Sequence, residues 1–332
     1  MKPILVFQEF IMPPSIRLFF LQAHSPIHVG VGEGLGHVNL PTAREQVTGH
    51  PYLPGSSIKG VLREHAELGT PTNDTSRYGN DPVVKVFGPP TERAGDARGG
   101  VVFSDARLFF LPIRSIVGGF ALATCPLILV RLRRELRLAE KLTEEQEKWF
   151  ETLIRNGQSD QALVHPDSVI LLSSGDQSAV LMEDLRVPAQ AVEAMSSLAE
   201  ALSGWGAWQK DDGDFFSRRL VVLPDTDFSH FARLGLELRH RVKIDADTGT
   251  AATSGPWLEE YIPAESLFFG LVQGRSTVLV HQTTPDGQPR DPVACTGQDC
   301  LEDLSGLVRP GTLLRFGGKS SGGAGRAFFR LV

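Results

Sequence analysis

Cysteine is scarce: 332 residues contain three, Cys125, Cys295 and Cys300. An odd trio in a chain of this length builds no disulfide framework and points to a reducing compartment, the cytoplasm. No apolar run approaches the ~20 residues that a membrane helix needs, so a soluble protein is the expectation. The opening Ile4-Leu5-Val6-Phe7 is cut short by Gln8 and Glu9 and lacks a small-residue cleavage site, so it does not read as a signal peptide. Net positive charge is absent as well. The formal charge is −6, so attraction to nucleic acid has to come from local basic clusters. Two nucleotide-binding signatures fail on spacing. A P-loop ending at Lys319 needs glycine where Leu313 stands, and the dinucleotide fingerprints begun at Gly30 and Gly32 meet Leu35 and His37 in place of their third glycine.

Hydrophobic residues make up 41% of the chain, enough for one large core or two small ones. Ile16 to Ala23 reads as a strand closed by Ser25-Pro26, and a loop rich in glycine follows. Ser56 and Ser57 precede spaced apolar residues from Ile58, which signals a serine-capped helix ending before Gly69. Residues 69 to 100 are rich in Gly, Pro, Asp, Asn and Arg and read as a long exposed excursion. Val101 to Phe103, Leu108 to Leu111 and Gly119 to Ala123 are strand material. Helical stretches are expected over Leu127 to Trp149, Ala189 to Leu202 and Phe228 to Leu236. Arg239 to Ile244 and Trp257 to Tyr261 form a protruding hairpin whose polar tip holds Thr250, Ala251 and Thr253. A strand at Leu267 to Val272, a helix near Leu301 to Val308 and a strand at Leu313 to Phe316 complete the pattern. Strands and helices without strict alternation give an α+β class, best matched by a ferredoxin-like core with insertions.

Four features carry chemistry. Residues 317 to 326 pack five glycines, among them Gly317 and Gly318, with Lys319 and Arg326, a loop able to turn several N–H groups toward one phosphate; a flexible linker is the plain alternative. Ser56, Ser57, Lys59 and Arg63 put hydroxyls and cations at one helix start, which suits a phosphodiester as well as it suits a capped surface helix. His24 and His28 are candidate acid–base groups beside Glu33, His37 and Asn39, although loop histidines are more often structural. Glu259-Glu260 reads as a solvated hairpin pair in which one carboxylate can hold a metal, and Cys295-x4-Cys300 lacks the second pair that zinc requires.

Taken in order, Ser25-Pro26-Ile27-His28-Val29-Gly30, Asn39-Leu40-Pro41, Thr48-Gly49-His50-Pro51-Tyr52-Leu53-Pro54-Gly55-Ser56-Ser57-Ile58-Lys59-Gly60, Val86-Phe87-Gly88-Pro89, Phe103-Ser104-Asp105-Ala106, Pro112-Ile113-Arg114-Ser115, Ala123-Thr124-Cys125-Pro126-Leu127 and the glycine tail resemble the RAMP (repeat-associated mysterious protein) superfamily. The resemblance is to the repeat-forming backbone subunit of type III-B CRISPR effectors. It divides the chain into an extension at 1–15 and one RAMP domain at 16–332, with a thumb hairpin at about 239–262 and a glycine-rich loop at 317–326.

The resemblance implies a palm similar to an RNA-recognition motif, with an inserted helical region, whose copies stack along guide RNA together with complementary target RNA and the other subunits of the complex. By the same resemblance the thumb, with Thr250, Trp257 and Glu259, is expected to displace target bases at six-nucleotide intervals. Ser56, Ser57, Lys59, Arg63, Gly317, Gly318, Lys319 and Arg326 are then expected to grip the guide. Active relatives carry an aspartate before Leu-Pro, thought to assist Mg2+-dependent cleavage, where this chain has Asn39. An amide takes no proton and ligates divalent cations weakly, so target cleavage is expected to be weak or lost unless Glu33, His28 or Glu259 compensates. Two other readings stay open: an active endoribonuclease of the same architecture, and an unrelated α+β enzyme with a small phosphate ligand.

Overall fold

In a computed structural model, the described residues are 15–32, 34, 38–69, 81–90, 92, 98–175, 177–245, 247–251, 256–279 and 293–332. The expected 1–14 part of the extension, together with Glu33, His37 and Thr253, lies outside them.

Ser15–Ala23 (β1) is buried at every position from Leu18 onward. It sits in the middle of a sheet, where both faces are covered and an alternating pattern is not required. Its antiparallel neighbours are Leu267–Gly274 (β3) and Arg326–Leu331 (β4), and β3 pairs in turn with Ala106–Ser115 (β2). The order across this unit is β4-β1-β3-β2. Helix Gly55–Gly69 (α1) lies between β1 and β2 in the chain, and helix Gly297–Leu307 (α2) between β3 and β4. The strand expected at Leu108 to Leu111 runs on through Pro112-Ile113-Arg114-Ser115.

α1 buries Ile58, Leu62 and Ala66, one stripe at helical spacing. Its start differs from expectation. The helix begins at Gly55, whose N–H is accepted by Asp105 Oδ1 at 2.9 Å, so Ser56 and Ser57 occupy the first turn and the cap arrives from the loop before β2. α2 is capped by the reciprocal Thr296–Asp299 box.

Beyond β2 the sheet continues through Gly119–Thr124, Leu220–Val222, Ala162–Val164, Leu185–Ala191, Gln177–Met182 and Leu171–Ser174. The last five of these strands go beyond the sequence expectation, being either only three residues long or partly polar. The helix expected from Ala189 starts at Ala194, because 185–191 is strand. Helices Pro126–Leu138 and Glu144–Asn156 pair through their charge run, with Arg133 and Arg137 both on Glu147. The 69–100 excursion is corrected in its described part: Pro82–Phe87 is a helix with Val83, Val84, Val86 and Phe87 buried, and Lys85 joins Asp303 of α2. All three cysteines are free and buried. No helix among the described residues is long and apolar enough to cross a membrane.

Asp105 holds α1 from outside the helix. Asp105→Ala is expected to lower unfolding stability by about 1 kcal/mol, and Ser56→Ala by much less, in urea denaturation followed by circular dichroism.

Candidate nucleic-acid interface

Strands Glu237–Arg241 and Trp257–Tyr261 pair antiparallel, with Arg239 opposite Glu259, to give the expected hairpin. A third segment joins them. Leu40 bridges Glu259 in parallel, its N–H donating to the Leu258 carbonyl (3.0 Å) and its carbonyl accepting from Glu260 N–H (3.0 Å). Asn39 is exposed beside this ladder, and its Oδ1 accepts the Leu258 N–H at 2.9 Å. The amide nitrogen of Asn39 has no acceptor among the described residues. At the tip, Asp245 Oδ1 accepts from Asp247 N–H, Thr248 N–H and the Thr248 hydroxyl, which holds its carboxyl below the usual range; Thr250 is exposed next to this turn.

His28 lies at the hairpin base. It is 5% exposed, and its Nδ1 donates to the Glu260 carbonyl at 2.7 Å while its ring packs on Tyr261. His24 is exposed and meets Phe328 edge-on.

Glu259 and Glu260 are both buried, which corrects the solvated pair expected from sequence. Neighbouring residues of a strand face opposite sides, so each carboxylate has its own set of donors. Glu259 takes Lys319 Nζ (2.6 Å), the Tyr261 hydroxyl (2.6 Å), Trp257 Nε1 (3.0 Å) and Arg241 Nε (3.2 Å). Burial pushes its carboxyl up, but these four donors outweigh it and hold the group at about 2. Glu260 takes Arg44 (2.7 Å) and Thr42 N–H (3.0 Å).

The glycine tail is not a linker. Thr312–Arg315 and Arg326–Leu331 pair antiparallel, and the loop between them carries a 3-10 turn at Ser320–Gly322. Gly317, at φ +84, lies so close to the His28 carbonyl that a Cβ would stand 2.0 Å from it. The loop is therefore pressed against the hairpin base, and Lys319 reaches Glu259. The Lys319 ammonium, expected on phosphate, is thus committed to a carboxylate in this state. The N–H groups of Gly317 and Gly318 have no acceptor among the described residues, and both glycines are exposed. Arg326 is half-buried, its N–H held by the Ser25 hydroxyl (2.9 Å) and its side-chain Nε unpaired.

The α1 start forms a second surface. Lys59 donates to the Val101 carbonyl (3.1 Å), and Arg63 reaches Glu67 (2.7 Å) and the Pro89 carbonyl (3.2 Å). Burial, together with Arg63 and Arg275, lowers the Lys59 pKa. Arg275, which follows β3 directly, went unnoticed in the sequence because nothing in its neighbourhood is basic. It is exposed, and its guanidinium has no partner among the described residues. Three cations thus converge around Lys59. The fold brings Asn39, the hairpin, Glu259 and Lys319 together at one surface, while Ser56 to Arg63 with Arg275 makes another. Strand Thr312–Arg315, which leads into the glycine loop, packs on α1 and links the two.

Glu259 has a depressed pKa in the fold, so its stabilising contribution is complete above about pH 4.5 and is lost as pH falls through about 2. Glu259→Gln is expected to cost up to about 3 kcal/mol at neutral pH, with the difference from the parent chain shrinking as pH drops across that window. Chemical denaturation series between pH 7 and pH 2 read this directly.

The family model of the RAMP superfamily matches residues 20–329. The Cmr endoribonuclease Cmr4 of the CRISPR system of Pyrococcus furiosus is 33% identical over 252 residues, 75% of this chain and 78% of that protein. The Cmr4 subunit of Saccharolobus solfataricus is 26% identical over 288 residues, 82% and 87% of the two chains. Among solved structures, oligomeric Cmr4 from Pyrococcus furiosus superposes with a TM-score of 0.65 at 24% identity, covering 97% of this chain and 99% of that one. A chain of the type III-B Cmr-beta complex bound to cognate target RNA gives 0.69 at 21%, covering 95% and 96%. These two likenesses show a shared mixed α+β fold. From the match along nearly its whole length and the identity to the Pyrococcus protein, the chain belongs to the RAMP superfamily, alongside the Cmr4 proteins.

Proposed function

We propose that the chain is a backbone subunit of a type III-B RNA-guided effector complex in the cytoplasm. It polymerises with further copies of itself along guide RNA, holds complementary target RNA, and contacts the other subunits of the complex. The β4-β1-β3-β2 order, with α1 in the first crossover and α2 in the second, supports reading this unit as the ferredoxin-like palm, and the 237–261 hairpin as the thumb that displaces target bases at six-nucleotide intervals. Free thiols at all three cysteines suit a reducing compartment. Base pairing specifies sequence, and the protein reads backbone and shape.

One observation carries the reading: Asn39 is built into the same ladder as the hairpin strand, exposed beside its tip-ward end where Leu258 pairs with His240, with Oδ1 fixed by Leu258 N–H. A target nucleotide pushed aside by the hairpin meets this residue first. A carboxylate here would keep the bond to Leu258 with one oxygen and offer the other as a base. The amide offers N–H donors instead and accepts no proton there. The donors nearby do not fit a resident divalent cation either. Asn39 Oδ1 and both Glu259 oxygens are taken, and among the described residues no group of three or more His, Cys, Asp or Glu is placed to hold a metal. The subunit therefore positions target RNA and cuts it weakly or not at all. The endoribonuclease name of the Pyrococcus relative makes cutting the competing reading. In a reconstituted complex with end-labelled target RNA and Mg2+, the parent chain is expected to leave the target intact and Asn39→Asp to produce a regular six-nucleotide ladder. A ladder from the parent chain overturns the proposal.

Guide binding rests on Lys59, Arg63 and Arg275, the Ser56 and Ser57 hydroxyls, and the free N–H groups of Gly317 and Gly318. Lys319 and Arg326 add charge beside them. Arg275→Ala is expected to weaken guide retention for every guide sequence alike and to reduce the salt slope of binding by about one. Filter binding across a salt series measures both. An unchanged slope removes Arg275 from the grip.

A further inference from the structure

A recess of about 590 Å³ opens where the end of β1, β4 and strand Gly119–Thr124 meet residues 209–216; His24 and Phe328 line it, but none of Asn39, Glu259, Lys319, Ser56 to Arg63 or Arg275 does. Its walls include Phe120, Phe215 and Phe328, with Phe215 48% exposed, and its polar groups include Asp212 and Glu265, with His24 at the rim. Neither carboxylate has an ion-pair partner within 4 Å among the described residues. Glu265 receives one long hydrogen bond, from Gln22 at 3.4 Å, and its backbone is held at φ +68, a conformation that costs a non-glycine residue about 1 kcal/mol. Burial and the neighbouring Asp212 push its carboxyl up, partly offset by Gln22 and His24.

π-faces and unpaired carboxylates attract the same kind of ligand, a cation, and repel phosphate. A guanidinium suits them better than an ammonium, because it stacks flat on a ring while its fork binds carboxylate oxygens. The same aromatic wall already demonstrates the stacking: Arg219 lies 3.6 Å over the Phe215 ring and 5.4 Å from that of Phe120, donating to the Phe215 carbonyl at 2.8 Å. We infer that the recess is the seat of an arginine side chain presented by a protein partner. The arginine stacks against the exposed Phe215 beside the half-buried Phe120 and Phe328 and pairs with Asp212 and Glu265, which makes this face of the chain a protein-docking surface separate from the RNA-gripping one.

Calorimetric titration of the full chain with an acetylated hexapeptide carrying one arginine, and with the same peptide carrying citrulline, tests this without RNA or other subunits, so its failure leaves the proposed function untouched. The arginine peptide is expected to bind at least about fivefold more tightly than the citrulline peptide, and to lose that margin in Asp212→Asn and in Glu265→Gln. Thermal unfolding of the two variants confirms that they are folded. Equal binding of the two peptides, full affinity in both variants, or displacement of the arginine peptide by a short oligoribonucleotide each overturns the inference.

Discussion

The interface depends on one buried carboxylate. Glu259 gathers a cation from the glycine loop, a cation from the opposite hairpin strand, and two donors from its own strand. A two-stranded hairpin is marginal in water by itself. This one gains a single parallel bridge from Leu40 and a side-chain rivet from Lys319 of the glycine loop. Removing the carboxylate strands Trp257 Nε1 and the Tyr261 hydroxyl without their acceptor and frees Lys319, so the cost is cooperative. Glu260 does the same for the other side by fixing Arg44, which also bonds the carbonyls of Gly49, Ala232 and Arg233. Adjacent glutamates thus fasten the hairpin to two different parts of the chain.

Asn39 gains its position from this arrangement and not from its own loop. The neighbouring Leu40 is hydrogen-bonded on both sides to the hairpin strand, so backbone position and side-chain direction at 39 are set by pairing. An amide and a carboxylate fit the same slot, which separates the architecture of the site from its chemistry. The fold keeps the same backbone geometry at this surface whichever of the two is present.

Much of this was legible in the sequence, and the remainder has a common cause. β1, the hairpin and the strand before the glycines announce themselves through apolar runs and turn residues. The glycine loop was legible as a loop with a purpose, since strand residues Phe328 and Phe329 follow it. The burial of Glu259 and Glu260 was not legible, because their decisive partners lie 60 and 216 residues away in sequence. The cap on α1 escaped for the same reason: two serines at the right place look sufficient, while Asp105 arrives from 50 residues on. Arg275 gave no local signal at all. Strands such as Leu171–Ser174 are edge pieces with little apolar content, and only their pairing defines them.

Asp105 ties the α1 start to the loop at the head of β2. Arg275 leaves the end of β3, and the glycine loop enters β4 directly. All three grips are therefore mounted on strands of one hydrogen-bonded sheet, whose neighbours keep a fixed spacing of about 4.8 Å. Such a sheet works as a ruler. Under the function proposed above, copies stacked along RNA would present these three grips at a spacing set by the stiffness of protein strands, and the RNA, as the softer component, would conform to it.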